Sequence, residues 1–109
     1  MKVLFVCLGN MDRSPTAEEL LQGKKGYEVL SAGTWEHARR PITKELVNWA
    51  DRIFVMEHEQ AEAILALEPS ASTKMDVLDI PDIYPRNHPK LVKMLKTRLS
   101  KRLQIDWDI

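Results

Sequence analysis

Apolar positions along the 109-residue chain follow two spacings that take turns. Val3-Leu4-Phe5-Val6-Cys7 is an unbroken apolar, β-rich run, the pattern of a strand buried on both faces. From Pro15 to Gln22 the spacing is helical, with Ala17, Leu20 and Leu21 on one side. Pro15 suits a first helical position, Ser14 suits the N-cap, and Gly23 and Gly26 supply the stop. Tyr27 to Ala32 predicts a second strand, ending at Gly33. A second helix is predicted from about Pro41 to Ala50, with Ile42, Leu46, Val47 and Trp49 apolar and Trp49 in the core. Ile53 to Met56 reads as a third strand, Glu59 to Leu67 as a third helix closed by Pro69, and Met75 to Ile80 as a fourth strand. Beyond Pro89, Leu91, Val92, Leu95, Leu99 and Leu103 fall at helical spacing, with Lys and Arg between them as a solvated amphipathic face. The tail from Asp106 to Ile109 has no period and reads as a fraying end.

Four strands alternating with four helices predict an open α/β fold. Its parallel sheet carries helices on both faces, in one domain spanning residues 1–109. Ligands of such folds bind at the carboxyl ends of the strands, so the loops after Cys7, Gly33, Met56 and Ile80 should share one rim. Sixteen basic and sixteen acidic residues cancel, which argues against nucleic acid or a membrane as partner. A single cysteine forms no internal disulfide and points to a reducing, cytoplasmic setting. The N-terminal apolar run stops at Gly9-Asn10, too soon for a signal peptide, and no run approaches the roughly 20 residues of a membrane helix. His37, His58 and His88 lack metal-ligand spacing, so neither metal nor another cofactor is expected.

The chemistry concentrates in "VCLGNMDRSPTAEEL", residues 6–20. Cys7 should end a strand just before a loop that feeds a helix N-terminus, where free N–H groups and the helix dipole attract anions. That field and the Arg13 guanidinium favour the thiolate. Gly9 and Asn10 tolerate the positive φ angles that turn successive N–H groups inward. Arg13 offers a planar fork for two phosphate oxygens, and Ser14 can donate its proton to the thiolate. A cysteine ending a strand is more often an inert buried residue. It is the Cys-x5-Arg-Ser-Pro spacing on a strand, loop and helix that describes a nucleophile in an anion nest.

"VLFVCLGNMDRSPTAE" resembles the active-site loop of the low-molecular-weight protein tyrosine phosphatases. "SAGT" (31–34), "ADRIFVM" (50–56) and "IPDIY" (80–84) resemble further segments of that family, in the same order. The resemblance implies a flavodoxin-like sheet of four parallel strands. It also implies a metal-independent phosphatase acting on phosphotyrosine proteins or small aryl phosphates. Carried over, Cys7 becomes the nucleophile that forms a phosphocysteine, and Asp82 the general acid. Arg13 and the loop residues Leu8, Gly9, Asn10, Met11, Asp12 and Ser14 hold the phosphate. The strand-end rule puts Asp82 on the same rim as Cys7, two strand spacings or roughly 10 Å away. Asp79, in or beside the strand, is the weaker competitor. Trp35 and Tyr84 are expected to flank the ring of the substrate. Arg39 and Arg40 read either as a solvated pair or as an attraction for an acidic flank.

Three departures from the family stand out. Asp12 replaces the second cysteine of the loop, which removes a disulfide partner for the nucleophile and with it an arsenate-reductase mechanism. The chain is several tens of residues shorter than typical members, mostly between Thr34 and Asp51. Ile83 replaces the proline that follows the acid. Asp12 has three readings: turned outward to cap or pair, turned inward against the phosphate to make a slow enzyme, or the mark of a module that only binds phosphorylated partners. That binding module is the alternative function. A sugar-phosphotransferase component ranks third, because such loops need no arginine at the position of Arg13.

Overall fold

The computed structural model describes residues 1–107. Elements follow one another as β1 (Lys2–Cys7), α1 (Arg13–Gln22), β2 (Glu28–Gly33), α2 (Lys44–Trp49), β3 (Arg52–Val55) and α3 (His58–Leu67). A 3₁₀ turn (Pro69–Lys74), β4 (Met75–Val77) and α4 (Pro89–Leu103) complete the chain. The strands form one parallel sheet in the order β2-β1-β3-β4. The open α/β class expected from the alternating pattern is borne out.

Alternation along β1 decides which face each side chain serves. Val3, Phe5 and Cys7 join Ala17 and Leu21 of α1 and Leu91, Leu95 and Leu99 of α4 in one core layer. Leu4 and Val6 join Val47, Ala61 and Ile64 in the layer under α2 and α3. Val3 through Val6 have no exposed surface, as a central strand covered on both sides requires. Cys7 therefore stands at the carboxyl end of the central strand, on the face where α1 begins.

Several boundaries differ from the sequence expectation, each for a local reason. α2 starts at Lys44 rather than Pro41, because Pro41 bridges to Gly33 and Thr43 then caps the helix by accepting from the Leu46 N–H at 3.1 Å. The shortened connection after β2 thus folds straight back on the strand end. Arg40 O accepts from Gly33 N at 2.9 Å, and Gly33 O from Ile42 N at 2.8 Å. Trp49 is half-buried at the edge of its layer rather than inside the core. β4 ends at Val77, and Asp79 adopts a left-handed φ of 61° that no strand continues through. Leu78 and Ile80 still donate to Val55 O and Met56 O, so the chain keeps to the sheet edge as far as Ile80. The tail is half anchored: Trp107 donates to Lys96 O at 3.0 Å, while residues 108–109 lie outside the described part. Among the described residues no helix is long and apolar enough to cross a membrane.

Candidate active site

Between β1 and α1 the loop wraps the sulfur with donors. Asn10 is fully buried with φ 54°, and its backbone N–H donates to Cys7 Sγ at 3.2 Å. Asn10 alone takes the positive φ expected of both Gly9 and Asn10. The Asn10 amide donates to Ser14 Oγ at 2.8 Å and to Ser31 Oγ at 2.9 Å, and Ser31 passes its own proton to Glu18. Ser14 Oγ already accepts from Asn10, which leaves its proton for Cys7 Sγ at 3.0 Å in preference to Ala32 O at 3.4 Å. Two donors on one sulfur are what a thiolate needs. Ser14 therefore serves the sulfur and not the N-cap. Asp12 holds the N-cap position, and its side chain makes no capping bond there.

Arg13 is buried under the cleft and ties three strand ends together. Its Nη1 donates to Glu57 Oε1 at 2.6 Å and to Ile80 O at 2.8 Å, while Nε lies 3.8 Å from Asp82 Oδ1. Glu57 follows β3 and sits at the N-cap of α3. There the buried Gln60 accepts from its backbone N–H at 2.6 Å, which fixes the turn. A cleft of about 180 Å³ opens above, lined by Cys7, Leu8, Gly9, Met11, Asp12, Arg13, Trp35 and Asp82. A larger groove of about 750 Å³ runs between α4 and residues 105–107. Its lining includes Lys93 and Lys96 but not the cysteine, so the nucleophile belongs to the smaller cleft.

Most of the predicted residues meet here. Cys7, Arg13 and Asp82 share the cleft, with Leu8, Gly9, Met11, Asp12 and Trp35 around them. Asn10 and Ser14 lie beneath its floor. Tyr84 does not line it; it stacks on His88 with ring centres 4.9 Å apart and packs against the α1/α4 core. Asp79 is exposed and away from the lining. Asp12 takes the outward orientation, with Oδ1 accepting from the Arg86 backbone N–H at 3.0 Å. Among the described residues no group of three or more His, Cys, Asp or Glu side chains could hold a metal ion.

Residues 2–39 match the family described as low molecular weight phosphotyrosine protein phosphatase. A probable low molecular weight protein-tyrosine-phosphatase of Ralstonia solanacearum, EpsP, is 34% identical over 112 residues, covering 75% of this chain and 77% of that protein. The chain belongs to the low molecular weight protein-tyrosine-phosphatase family. With that family, the protein is a phosphatase. A protein-arginine-phosphatase of Geobacillus stearothermophilus is 30% identical over 97 residues, covering 67% of this chain and 66% of that one. Among solved structures, Vibrio vulnificus Wzb in complex with benzylphosphonate superposes with a TM-score of 0.74 at 26% identity, over 94% of this chain and 97% of that one.

Two supports of this phosphatase cleft escaped the sequence. Glu57, which precedes His58, carries no motif of its own, yet it is the partner of Arg13. Its one local sign was Gln60, three residues on, the spacing of a capping box. Arg39, read as solvated or as a lure for acidic substrates, holds the loop from outside. Its Nε donates to Asn10 O at 3.0 Å and its N–H to Gly9 O at 3.1 Å.

Proposed function

We propose that the cleft hydrolyses aryl phosphate monoesters, phosphotyrosine in proteins above all, through a phosphocysteine on Cys7. The observation that carries the substrate class is the apolar rim. Leu8, Met11 and Trp35 line the cleft, and Ile83 follows Asp82; all four are large apolar side chains left exposed. Such groups suit the faces of a phenyl ring better than a charged or hydroxylic chain. The benzylphosphonate bound by the Vibrio relative is an aryl ligand of the same kind.

In this mechanism the Cys7 thiolate attacks phosphorus as the bond from phosphorus to the phenolic oxygen breaks. Protonated Asp82 gives its proton to that oxygen, so tyrosine leaves neutral. Arg13 and the N–H groups of Leu8 to Arg13 hold the phosphoryl oxygens as their charge is redistributed. Water then attacks the phosphocysteine and gives a proton to the Asp82 carboxylate; the sulfur–phosphorus bond breaks, releasing phosphate and the thiolate. Asp82→Asn is expected to lower kcat/KM on phosphotyrosine, the parameter that reports formation of the phosphocysteine, by roughly 10²–10⁴-fold. Nitrophenyl phosphate, whose leaving group needs little protonation, should suffer much less. Equal losses on both substrates would remove Asp82 from the role of acid.

Glu57 accepts from Arg13 Nη1 and is not among the residues lining the cleft. Glu57→Ala should weaken inhibition by inorganic phosphate by about tenfold, roughly 1.4 kcal/mol, while Glu57→Gln retains most of it. An unchanged inhibition constant in Glu57→Ala would show that Ile80 O alone fixes the guanidinium.

Phosphoarginine is the second substrate class to test. The Geobacillus relative is named for it, and one carboxylate, Asp82, is exposed at the cleft. The experiment compares kcat/KM on one peptide carrying phosphotyrosine, phosphoarginine or phosphoserine. A preference for phosphotyrosine of about 100-fold or more, some 2.7 kcal/mol, is the expected result. A preference for phosphoarginine overturns the aryl assignment. No turnover of any peptide, with phosphate still raising Tm, leaves a phosphate-binding module.

A further inference from the structure

We infer that Asp12 is a positioning residue for Asp82: its carboxylate anchors the acid-bearing segment to the cradle through the Arg86 backbone N–H. The inference rests on the phosphatase mechanism above for its kinetic consequence, but not for its structural one.

An aspartate at a helix N-cap ordinarily accepts from the N–H groups of the first turn. Asp12 occupies that position in α1 and makes no such bond. Its Oδ1 reaches instead across 74 residues of sequence to Arg86 N, at 3.0 Å. A second bond runs alongside, since Thr16 Oγ1 accepts from Asn87 N at 3.0 Å and donates to Asp12 O at 2.7 Å. A third contact is the Arg86 guanidinium on Glu19. The hydrogen bond from Arg86 holds the Glu19 carboxyl below its ordinary range, so this contact persists above that range and loosens only as acid protonates Glu19.

These contacts fix one end of the segment that carries Asp82. The other end is fixed by Arg13, whose Nη1 donates to Ile80 O at 2.8 Å. Between the anchors runs Pro81-Asp82-Ile83-Tyr84-Pro85, where each proline locks its φ. Asp82 itself has one weak tether, the 3.8 Å approach to Arg13 Nε, and its side chain is 55% exposed. Its reach over the cleft is therefore set mainly by where its backbone is pinned. Beyond the Tyr84 ring, which packs against the core, Arg86 N is the hydrogen-bonded anchor nearest to Asp82 on the C-terminal side, and the cradle residue that holds it is Asp12. The same bond gives the Asp12 carboxylate a donor away from the phosphate, which answers how a negative charge is accommodated in this loop.

A role in placing the acid predicts a selective defect. Phenyl phosphate leaves as a phenol with a pKa of about 10, like tyrosine, and needs a proton in flight. Nitrophenyl phosphate does not. Asp12→Ala keeps the backbone N–H of the loop and should lower kcat/KM, which reports the steps up to the phosphocysteine, by about 10–100-fold on phenyl phosphate while changing it only a few-fold on nitrophenyl phosphate. Asp12→Asn keeps an acceptor oxygen and should restore most of the loss. In an Asp82→Asn background, Asp12→Ala should add no further loss on phenyl phosphate, because both changes then act on one step. Equal losses on the two substrates, or additive losses in the double variant, would make Asp12 a support of the cradle and overturn the assignment.

Amide hydrogen exchange supplies the readout that needs no turnover. Segment 80–87 should exchange faster in Asp12→Ala than in the native protein and at near-native rates in Asp12→Asn, with residues 2–7 unchanged in both. Unaltered exchange over 80–87 in Asp12→Ala overturns the anchor even if the protein proves to be a phosphate binder. Faster exchange in a protein without turnover establishes the anchor and sinks only the catalytic reading.

Discussion

Cys7→Ser is expected to cut phosphotyrosine turnover by on the order of 10⁴–10⁶-fold, about 5–8 kcal/mol of transition-state stabilisation. The site around Cys7 is arranged for a sulfur anion: Ser14 Oγ at 3.0 Å and Asn10 N at 3.2 Å both face Sγ. A serine hydroxyl in that position keeps its proton, and the hydroxyl beside it, Ser14, is committed as a donor by Asn10. Folding should survive, because an oxygen replaces a sulfur among groups that can bond to it. Phosphate binding should survive too, since Arg13, Glu57 and the loop are untouched. At phosphate concentrations near 100 times Kd, native protein and variant should both gain roughly 10–20 °C in Tm. A variant that retains a tenth of native turnover would remove Cys7 as nucleophile. A variant with neither turnover nor a phosphate-induced shift would mean that the sulfur holds the cradle's shape as well as its chemistry.

How far the sequence foretold this arrangement depends on the range of each interaction. Central strands are legible because burial on both faces leaves no polar position, as in Val3 to Val6 and Ile53 to Val55. The strand-end rule brings Cys7 and the segment of Asp82 to one rim from sequence alone. What local pattern did not reveal are pairings between distant segments. Nothing near Glu57 in sequence announces Arg13, and nothing near Asp12 announces Arg86. For Ser14 the sequence offers two roles, capping the helix and donating to the thiolate, and only the second is realised. Asn10 selects between them by donating to Ser14 and Ser31, which leaves the Ser14 proton for the sulfur. Tyr84 was expected at the cleft by its nearness to Asp82, but its ring finds more contact in the core and on His88 than over the opening. The early return of the chain at Pro41 likewise follows from pairing with Gly33, a contact that helical periodicity in 42–49 does not encode.

Gly33→Ala should be the most damaging of the four glycine-to-alanine changes open to this protein. Gly33 ends β2 in register with Cys7, and its backbone is bonded on both sides, N–H to Arg40 O and carbonyl to Ile42 N. Its φ is not in the left-handed region, so the constraint is space rather than backbone conformation. A Cβ there would stand 2.5 Å from Leu8 O, 2.7 Å from Ala38 Cβ and 3.0 Å from Asn10 N. Two of those atoms are backbone of the cradle, and the third belongs to the turn whose Arg39 grips the loop from outside. None is the end of a flexible side chain that could step aside. Relief therefore requires the loop after Cys7 to move off the strand, which draws Asn10 away from the sulfur. Overpacking of this kind costs about 1–3 kcal/mol, or roughly 5–20 °C in Tm for a chain of this length. Phosphate affinity should fall along with stability, because the displaced backbone is the part that faces the anion. The decisive comparison is phosphate inhibition measured well below the lowered Tm. An affinity equal to the native value there would mean that β2, and not the cradle, absorbs the added methyl.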